Sequence, residues 1–82
     1  MRSIHDPRYQ DLIKKLIELR ESKNVTQIEL ARRLNKPQSY VSKVEILERR
    51  LDVIELMDWL KVLETEIADF LIFYSLSSPE IG

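Results

Sequence analysis

Apolar residues recur every three or four positions along nearly the whole chain, and no stretch alternates apolar with polar residues as a strand does. This pattern predicts an all-α fold. The first helix is expected to have Asp6 as its N-cap and Pro7 at its first helical position, where the missing N–H of proline costs nothing. Its apolar face would consist of Leu12, Ile13, Leu16 and Ile17. The helix should end near residues 22–24.

A second helix start lies in the stretch VTQIEL. Thr26 is placed to accept a hydrogen bond from the backbone of Glu29, while the Glu29 side chain reaches back to Thr26. Val25 would pack on Leu30 as a hydrophobic staple. The second helix should therefore begin at Thr26 and end at Asn35, since asparagine tolerates the left-handed conformation that ends many helices.

A turn of about four residues separates this helix from a third, which is predicted to open at Pro37 and to run through PQSYVSKVE. Val41 and Val44 are spaced to face inward, which leaves the polar residues outside. The third helix is thus expected to be short, with a polar and exposed outer face.

Two further helices complete the pattern. In LDVIEL, Asp52 and Glu55 repeat the capping signature, which predicts a fourth helix from Asp52. Thr65 is the expected cap of a fifth helix over residues 66–76. Apolar residues cover more than one face of this last helix, so we expect part of it to contact another subunit.

Length and composition limit the classes of protein. A chain of 82 residues forms one domain, here residues 1–82. With no cysteine and a single histidine, neither a disulfide framework nor a metal site is expected, and no cofactor is implied. The longest apolar run, FLIFY, is far shorter than the roughly 20 residues of a membrane span. We therefore expect a soluble, cytoplasmic protein.

Charge is distributed unevenly along the chain, although the net charge is only −1. Residues 1–50 hold twelve Lys and Arg against seven Asp and Glu, a net +5, whereas residues 51–82 hold one against seven, a net −6. A basic half can bind phosphates while the acidic half points elsewhere. The total charge therefore does not argue against a nucleic-acid partner.

Two short helices joined by a tight turn, with the second polar on its outer face, form the layout of a helix-turn-helix. The stretch TQIELARRLNKPQSYVSKVE resembles the Cro/lambda-repressor (XRE-type) DNA-binding domain, and the resemblance covers roughly residues 9–64. It combines a capping box, a small residue at Ala31 where the two helices approach closely, a turn of fixed length and a buried Val41. The resemblance implies a five-helix domain that binds double-stranded DNA, with a DNA-binding core at residues 6–64. The C-terminal helix at residues 65–76 is expected to form a dimer.

The resemblance also implies the roles of individual residues. Residues 38–45 would be the recognition helix in the major groove. Gln27 would bind a backbone phosphate and brace Gln38, and Gln38 is suited to a bidentate pair with adenine. The candidate DNA-binding residues are Gln27, Gln38, Ser39, Tyr40, Ser42, Lys43, Arg49 and Arg50. Arg20 and Glu45 match a buried ion pair that ties the first helix to the third.

One position departs from the family pattern. Position 47, where the family places a glycine with positive φ, is Leu47 in this chain. Either the chain bends within residues 46–51 at a cost of about 1–2 kcal/mol, or the third helix continues into the fourth. A continuous helix would favour a domain-swapped dimer. The pattern leaves both courses open.

These features predict a homodimeric, repressor-like transcriptional regulator, with the dimer formed through the fourth and fifth helices. The alternative is a protein-interaction module, such as an antitoxin, in which the apolar and acidic C-terminal half binds a partner. An enzyme is not expected, since the chain has no glycine-rich phosphate loop and no nucleophile with a base beside it.

Overall fold

The computed structural model describes residues 3–77, and within that range it contains helices and no strands. A short 3-10 turn at Ser3–His5 precedes five α-helices: α1 (Pro7–Ser22), α2 (Gln27–Leu34), α3 (Gln38–Glu45), α4 (Val53–Val62) and α5 (Ile67–Ser77). The predicted all-α, five-helix fold is confirmed. Residues 78–82 lie outside the described residues.

Side-chain caps fix three of the helix starts. Asp6 accepts a hydrogen bond from the Arg8 N–H (2.8 Å), and Thr26 accepts one from the Glu29 N–H (3.0 Å). Asp52 forms the complete capping box, because its carboxylate accepts from the Glu55 N–H (2.7 Å) and the Glu55 carboxylate accepts from the Asp52 N–H (3.0 Å). These short-range signals set the starts of α1, α2 and α4 as predicted.

Three details of the predicted starts are wrong. The Glu29 carboxylate does not reach back to Thr26, because two arginines one turn further along α2 pair with it instead. Pro37 takes the N-cap position of α3 with extended backbone (ψ 153°), so α3 begins one residue later than predicted. Thr65 does not cap α5; its hydroxyl donates to the Leu63 carbonyl (3.1 Å), and α5 begins at Ile67.

The first four helices all end on a residue with left-handed backbone, and none of these residues is glycine. They are Asn24, Asn35, Leu47 and Glu64, with φ between 56° and 66°. At each one the next N–H in the chain donates to a carbonyl five residues back, as in Lys36 to Ala31 (3.0 Å) and Thr65 to Leu60 (2.9 Å). These are Schellman motifs, which satisfy carbonyls that the helix end would leave without donors.

The chain bends between α3 and α4, which is the first of the two courses that the sequence left open. Leu47 adopts φ 66°, and the N–H groups of Glu48 and Arg49 both donate to the Lys43 carbonyl (2.8 and 3.1 Å). The half-buried Leu47 side chain packs against the core, and Leu51 is buried beyond it. Apolar packing on both sides of the bend thus offsets the strain of a left-handed leucine.

All five helices contribute to one hydrophobic core. Its fully buried side chains include Ile13, Leu16, Leu30, Val41, Val44, Trp59, Leu60 and Phe70. Lys15 is also buried, although lysine side chains usually lie at the surface. Its ammonium group pairs with the Asp11 carboxylate one turn earlier on α1 (3.2 Å).

The left-handed helix ends lead to a stability prediction. Glu64→Gly should raise the free energy of unfolding by about 0.5–1 kcal/mol, because relief of the left-handed strain exceeds the added entropy of the unfolded chain. Leu47→Gly relieves the same strain but loses apolar packing, so it should give little or no gain. Urea denaturation followed by circular dichroism measures both changes.

Asp58→Gly is the matched control, since Asp58 lies exposed inside α4 with right-handed backbone. It should lower the free energy of unfolding by about 1 kcal/mol. Equal destabilisation by all three substitutions would contradict the strain argument.

Candidate nucleic-acid interface

The α2–α3 pair forms a compact helix-turn-helix. Val41 and Val44 of α3 are fully buried, as are Leu30 and Ala31 of α2. The opposite face of α3 holds Gln38, Ser39 and Lys43, all exposed, and the half-buried Ser42. Among the described residues, Lys43 has no ion-pair or hydrogen-bond partner for its ammonium group. The outer face of α3 is therefore polar, accessible and positively charged.

A chain of hydrogen bonds supports the N-terminal end of this face. The Gln38 amide donates to Gln27 Oε1 (3.4 Å), and Gln27 Nε2 donates to Glu45 Oε1 (2.8 Å). Glu45 in turn accepts two hydrogen bonds from Arg20 (2.8 and 3.0 Å). The Arg20 and Glu45 side chains are only 10% and 4% exposed, so this is the buried ion pair that the resemblance implied. Gln27 lies between the ion pair and the outer face of α3.

Tyr40 belongs to a second cluster, on the side of α3 that faces α4. Its hydroxyl accepts a hydrogen bond from the indole N–H of the fully buried Trp59 (3.0 Å), and the two rings meet edge to face at 6.1 Å. The Arg49 guanidinium lies 4.7 Å from the centre of the Tyr40 ring, and the Lys36 ammonium 5.6 Å. Burial raises the pKa of the Tyr40 hydroxyl, which keeps its own proton available for donation.

Arg49 and Arg50, two further candidate residues, differ in how many contacts they make within the domain. Arg49 forms an ion pair with Glu55 (2.9 Å) and donates to the Arg50 carbonyl (2.9 Å). The hydrogen bond to Arg49 is the main cause that lowers the pKa of the Glu55 carboxyl. Arg50 is exposed, with its guanidinium 5.8 Å from the ring of Tyr9. Arg50 is therefore the freer cation of the two.

On α2, one carboxylate is shared by two arginines, which leaves a net charge of +1. The Glu29 carboxylate pairs with Arg32 and Arg33, and the hydrogen bond from Arg32 is the largest cause that lowers the pKa of Glu29 to about 2. Arg33 also donates to the Val62 carbonyl (3.0 Å), which ties α2 to the end of α4. Both arginines are therefore partly engaged within the domain, whereas the ammonium group of Lys43 on α3 has no ion-pair partner among residues 3–77.

Two contacts at the candidate interface, one of Lys36 and one of Glu45, were not predicted from the sequence. Lys36 follows Asn35 in the turn. Its contact with the Tyr40 ring was only weakly indicated by the sequence, through the spacing of four residues between the two side chains. Glu45 was expected only as an ion-pair partner, and its contact with Gln27 depends on how α2 and α3 pack. No pattern within one helix could have indicated that contact.

Other kinds of site find no support in the part of the chain that the structure describes. Residues 3–77 contain no group of three or more histidine, aspartate or glutamate side chains that could hold a metal ion. None of the helices in the same range has the length and apolar character to cross a bilayer.

A short, exposed, polar helix, braced by the helix before it and set in the basic half of an all-helical domain, defines a helix-turn-helix DNA-binding protein. A helix-turn-helix family model (HTH_3) matches residues 16–70. The chain is similar to the solved structure of an XRE-family like protein from Pseudomonas syringae pv. tomato str. DC3000, with 46% identity, 95% of each chain covered and a TM-score of 0.82. No curated protein matches the chain. The chain belongs to the XRE-type helix-turn-helix family and is a DNA-binding regulator.

The bond between Tyr40 and Trp59 leads to a second stability prediction. Tyr40→Phe should lower the free energy of unfolding by about 1–3 kcal/mol, because the buried indole N–H of Trp59 loses its acceptor. Thermal unfolding followed by tryptophan fluorescence measures the change. Ser39→Ala, at the exposed neighbouring position, should shift stability by less than about 0.5 kcal/mol. A Tyr40→Phe protein as stable as the parent would show that the bond contributes little.

Proposed function

We propose that the protein is a sequence-specific transcriptional repressor that acts as a homodimer and inserts α3 of each subunit into the major groove of an operator half-site. The observation that carries the proposal is the outer face of α3. Gln38, Ser39 and Lys43 are exposed on one short helix, and α2 holds Gln38 in place through Gln27. Side chains at the start of a recognition helix are those that contact base edges.

Each residue has a role suited to its chemistry. Gln38 presents an amide that can pair with N6 and N7 of adenine. Lys43, whose ammonium group has no partner within the described part of the chain, can reach a guanine or a phosphate. Gln27, at the first turn of α2, has a second amide N–H for a backbone phosphate next to the positive end of the helix dipole. Ser39 and Ser42 supply hydroxyl groups along the same face of α3.

The remaining candidates would contact phosphates beside the groove. Tyr40 can donate its hydroxyl proton, and Arg50 is exposed. Arg49 would contact a phosphate only by loosening its ion pair with Glu55, so its contribution should be smaller than that of Arg50. Such contacts fix the register of the protein on DNA and select no sequence.

The proposed dimer forms through α4 and α5. The exposed large apolar side chains of these helices are Val53, Ile54, Met57, Leu71, Ile72, Phe73 and Leu76. From Phe70 to Ser77, α5 has no charged residue, so two copies can meet there without bringing like charges together. The acidic half of the domain would then face away from DNA. The two copies of α3 should lie about 34 Å apart, one turn of B-DNA.

Substitutions on α3 should affect base preference and overall affinity differently, as measured on a duplex selected from a random-sequence pool. Gln38→Ala should reduce the free-energy difference between the preferred base and other bases at one position by about 1–3 kcal/mol, because the hydrogen bonds of the amide to the preferred base are lost. Lys43→Ala should weaken binding to all sequences if it contacts a phosphate, and reduce the slope of log K against log salt by about 1. Fluorescence anisotropy at several salt concentrations measures both effects.

Lys14→Ala is the control, since Lys14 is an exposed residue of α1 outside the helix-turn-helix. It should change neither base choice nor the salt slope. Flat salt dependence of the parent protein, together with failure to select any sequence, would contradict the proposed function.

Dimer formation should depend on α5. Ile72→Glu should raise the dimer dissociation constant about tenfold or more, because it places a charge in a desolvated apolar contact. Sedimentation equilibrium or multi-angle light scattering measures the change. Ile28→Glu is the matched control, since Ile28 on α2 is similarly exposed (66% against 56%) and lies outside the proposed interface.

Other outcomes would identify other assemblies. A dimer that survives Ile72→Glu but is lost in Leu47→Gly would indicate an exchange of helices through a fused α3–α4, since glycine removes the strain that favours fusion. A parent protein that remains monomeric at high concentration would favour the partner-binding module over the homodimeric repressor.

A further inference from the structure

We propose that the buried carboxylate of Glu45 fixes the polarity of the Gln27 and Gln38 side-chain amides, and so biases the first base contact of α3 toward adenine. Glu45 and Gln27 would be positioning residues for specificity, and Glu45 would act without touching DNA. The inference rests on the proposed function, because it requires Gln38 to contact a base.

The first step is set by the chemistry of a carboxylate. An ionised carboxylate only accepts hydrogen bonds, so the end of the Gln27 amide that faces Glu45 must be its NH2 group. The contact is short, at 2.8 Å, and the Glu45 side chain is 4% exposed. Reversal of the Gln27 amide would bring two acceptor oxygens together in a nearly dry environment, which is strongly unfavourable. The orientation of Gln27 therefore follows from its neighbour.

The second step carries this polarity to the surface. With its NH2 group on Glu45, Gln27 turns its carbonyl oxygen toward Gln38, whose Nε2 donates to it over 3.4 Å. One N–H of Gln38 is thereby engaged. What Gln38 offers to a base is its carbonyl oxygen and its second N–H, side by side.

The third step matches these groups to the bases. In the major groove adenine presents the N6 donor beside the N7 acceptor, which complements one carbonyl and one N–H. Guanine presents two acceptors, O6 and N7, so a fixed carbonyl would face an acceptor. An unrestrained glutamine could turn its NH2 group toward guanine, whereas Gln38 would first have to give up its bond to Gln27. The arrangement thus discriminates against guanine.

The ion pair with Arg20 fixes the position of the Glu45 carboxylate. Arg20 donates to both oxygens of Glu45 and, through its remaining NH1 group, to the Val25 carbonyl (2.8 Å). A carboxylate held at both oxygens cannot rotate away from Gln27. Charge-assisted bonds of this kind are shorter and stronger than neutral ones.

Two substitutions of Gln27 separate this effect from loss of a phosphate contact. Gln27→Met removes both the acceptor for Gln38 and the phosphate donor. Gln27→Lys keeps a donor for Glu45 and a cation for phosphate, but it offers Gln38 no acceptor. Both leave the Arg20–Glu45 ion pair in place, so the fold is retained.

The measurement is the dissociation constant of the full chain for its selected duplex and for duplexes with each other base at the position that Gln38 reads. The parent should prefer adenine over guanine about tenfold or more, in the range of a good bidentate pair. Both Gln27 variants should reduce this preference to about threefold or less and leave the preferences at other positions unchanged. A uniform loss of affinity in Gln27→Met alone is expected and does not bear on polarity.

Glu45→Gln provides an independent arm, because an amide at this position can donate as well as accept and so permits the reversed orientation of Gln27. If thermal unfolding shows that Glu45→Gln is folded, this variant should show the same loss of adenine preference. If it is not folded, the two Gln27 variants alone test the inference. If Gln38→Ala leaves base choice unchanged, the proposed function itself fails at this residue. If Gln38→Ala relaxes base choice but both Gln27 variants keep the parent's adenine preference, the polarity inference alone is overturned.

Discussion

The buried ion pair between Arg20 and Glu45 is the interaction on which the geometry of the domain depends. It joins the end of α1 to the end of α3, and its third hydrogen bond holds the loop at Val25. Burying two charges is costly, and loss of either partner would leave the other unpaired, at about 3–5 kcal/mol. Such a pair adds little net stability compared with apolar packing. Its value lies in orientation, since the two hydrogen bonds from Arg20 to Glu45 and the third to Val25 constrain where the end of α3 lies relative to α1.

The proposed recognition helix, α3, is consequently tied to α1 at one point, and the segment that follows its bend is tied to α1 at a second. Arg20 holds Glu45 at the last residue of α3. Beyond the bend, the N–H of Leu51 donates to the hydroxyl of Tyr9, another α1 residue (2.9 Å). Gln27 of α2 supports the opposite end of α3 through Gln38. If α3 enters a groove as proposed, a helix fixed in this way would lose little further entropy on binding, which would favour a defined register on DNA.

Helix starts that follow from one pair of residues close in sequence could be predicted. The sequence did not show which hydrogen-bond partner a side chain would choose when several lie within reach. Asp52 and Glu55 cap each other although Arg49 also pairs with the Glu55 carboxylate, because Arg49 lies closest to Oε2 (2.9 Å) and Oε1 still accepts from the Asp52 N–H (3.0 Å). Glu29 has the same spacing from Thr26, but Arg32 and Arg33 lie on the same face of α2 and take its carboxylate. In the candidate site, helical periodicity was enough to expect Gln38 and Lys43 on an outer face. The packing of Tyr40 against Trp59 joins residues 19 positions apart and follows only from the tertiary fold.

The bend after α3 shows how a departure from a family pattern can be absorbed. A glycine would adopt the left-handed conformation without strain, but it would supply no side chain and would leave the unfolded chain freer. Leu47 adopts the same conformation at a cost of about 1–2 kcal/mol and gains contact with the core. The Schellman bonds to the Lys43 carbonyl and the burial of Leu51 then hold the segment from both sides. The strained residue therefore lies between two fixed points, and its strain is balanced by packing that a glycine could not provide.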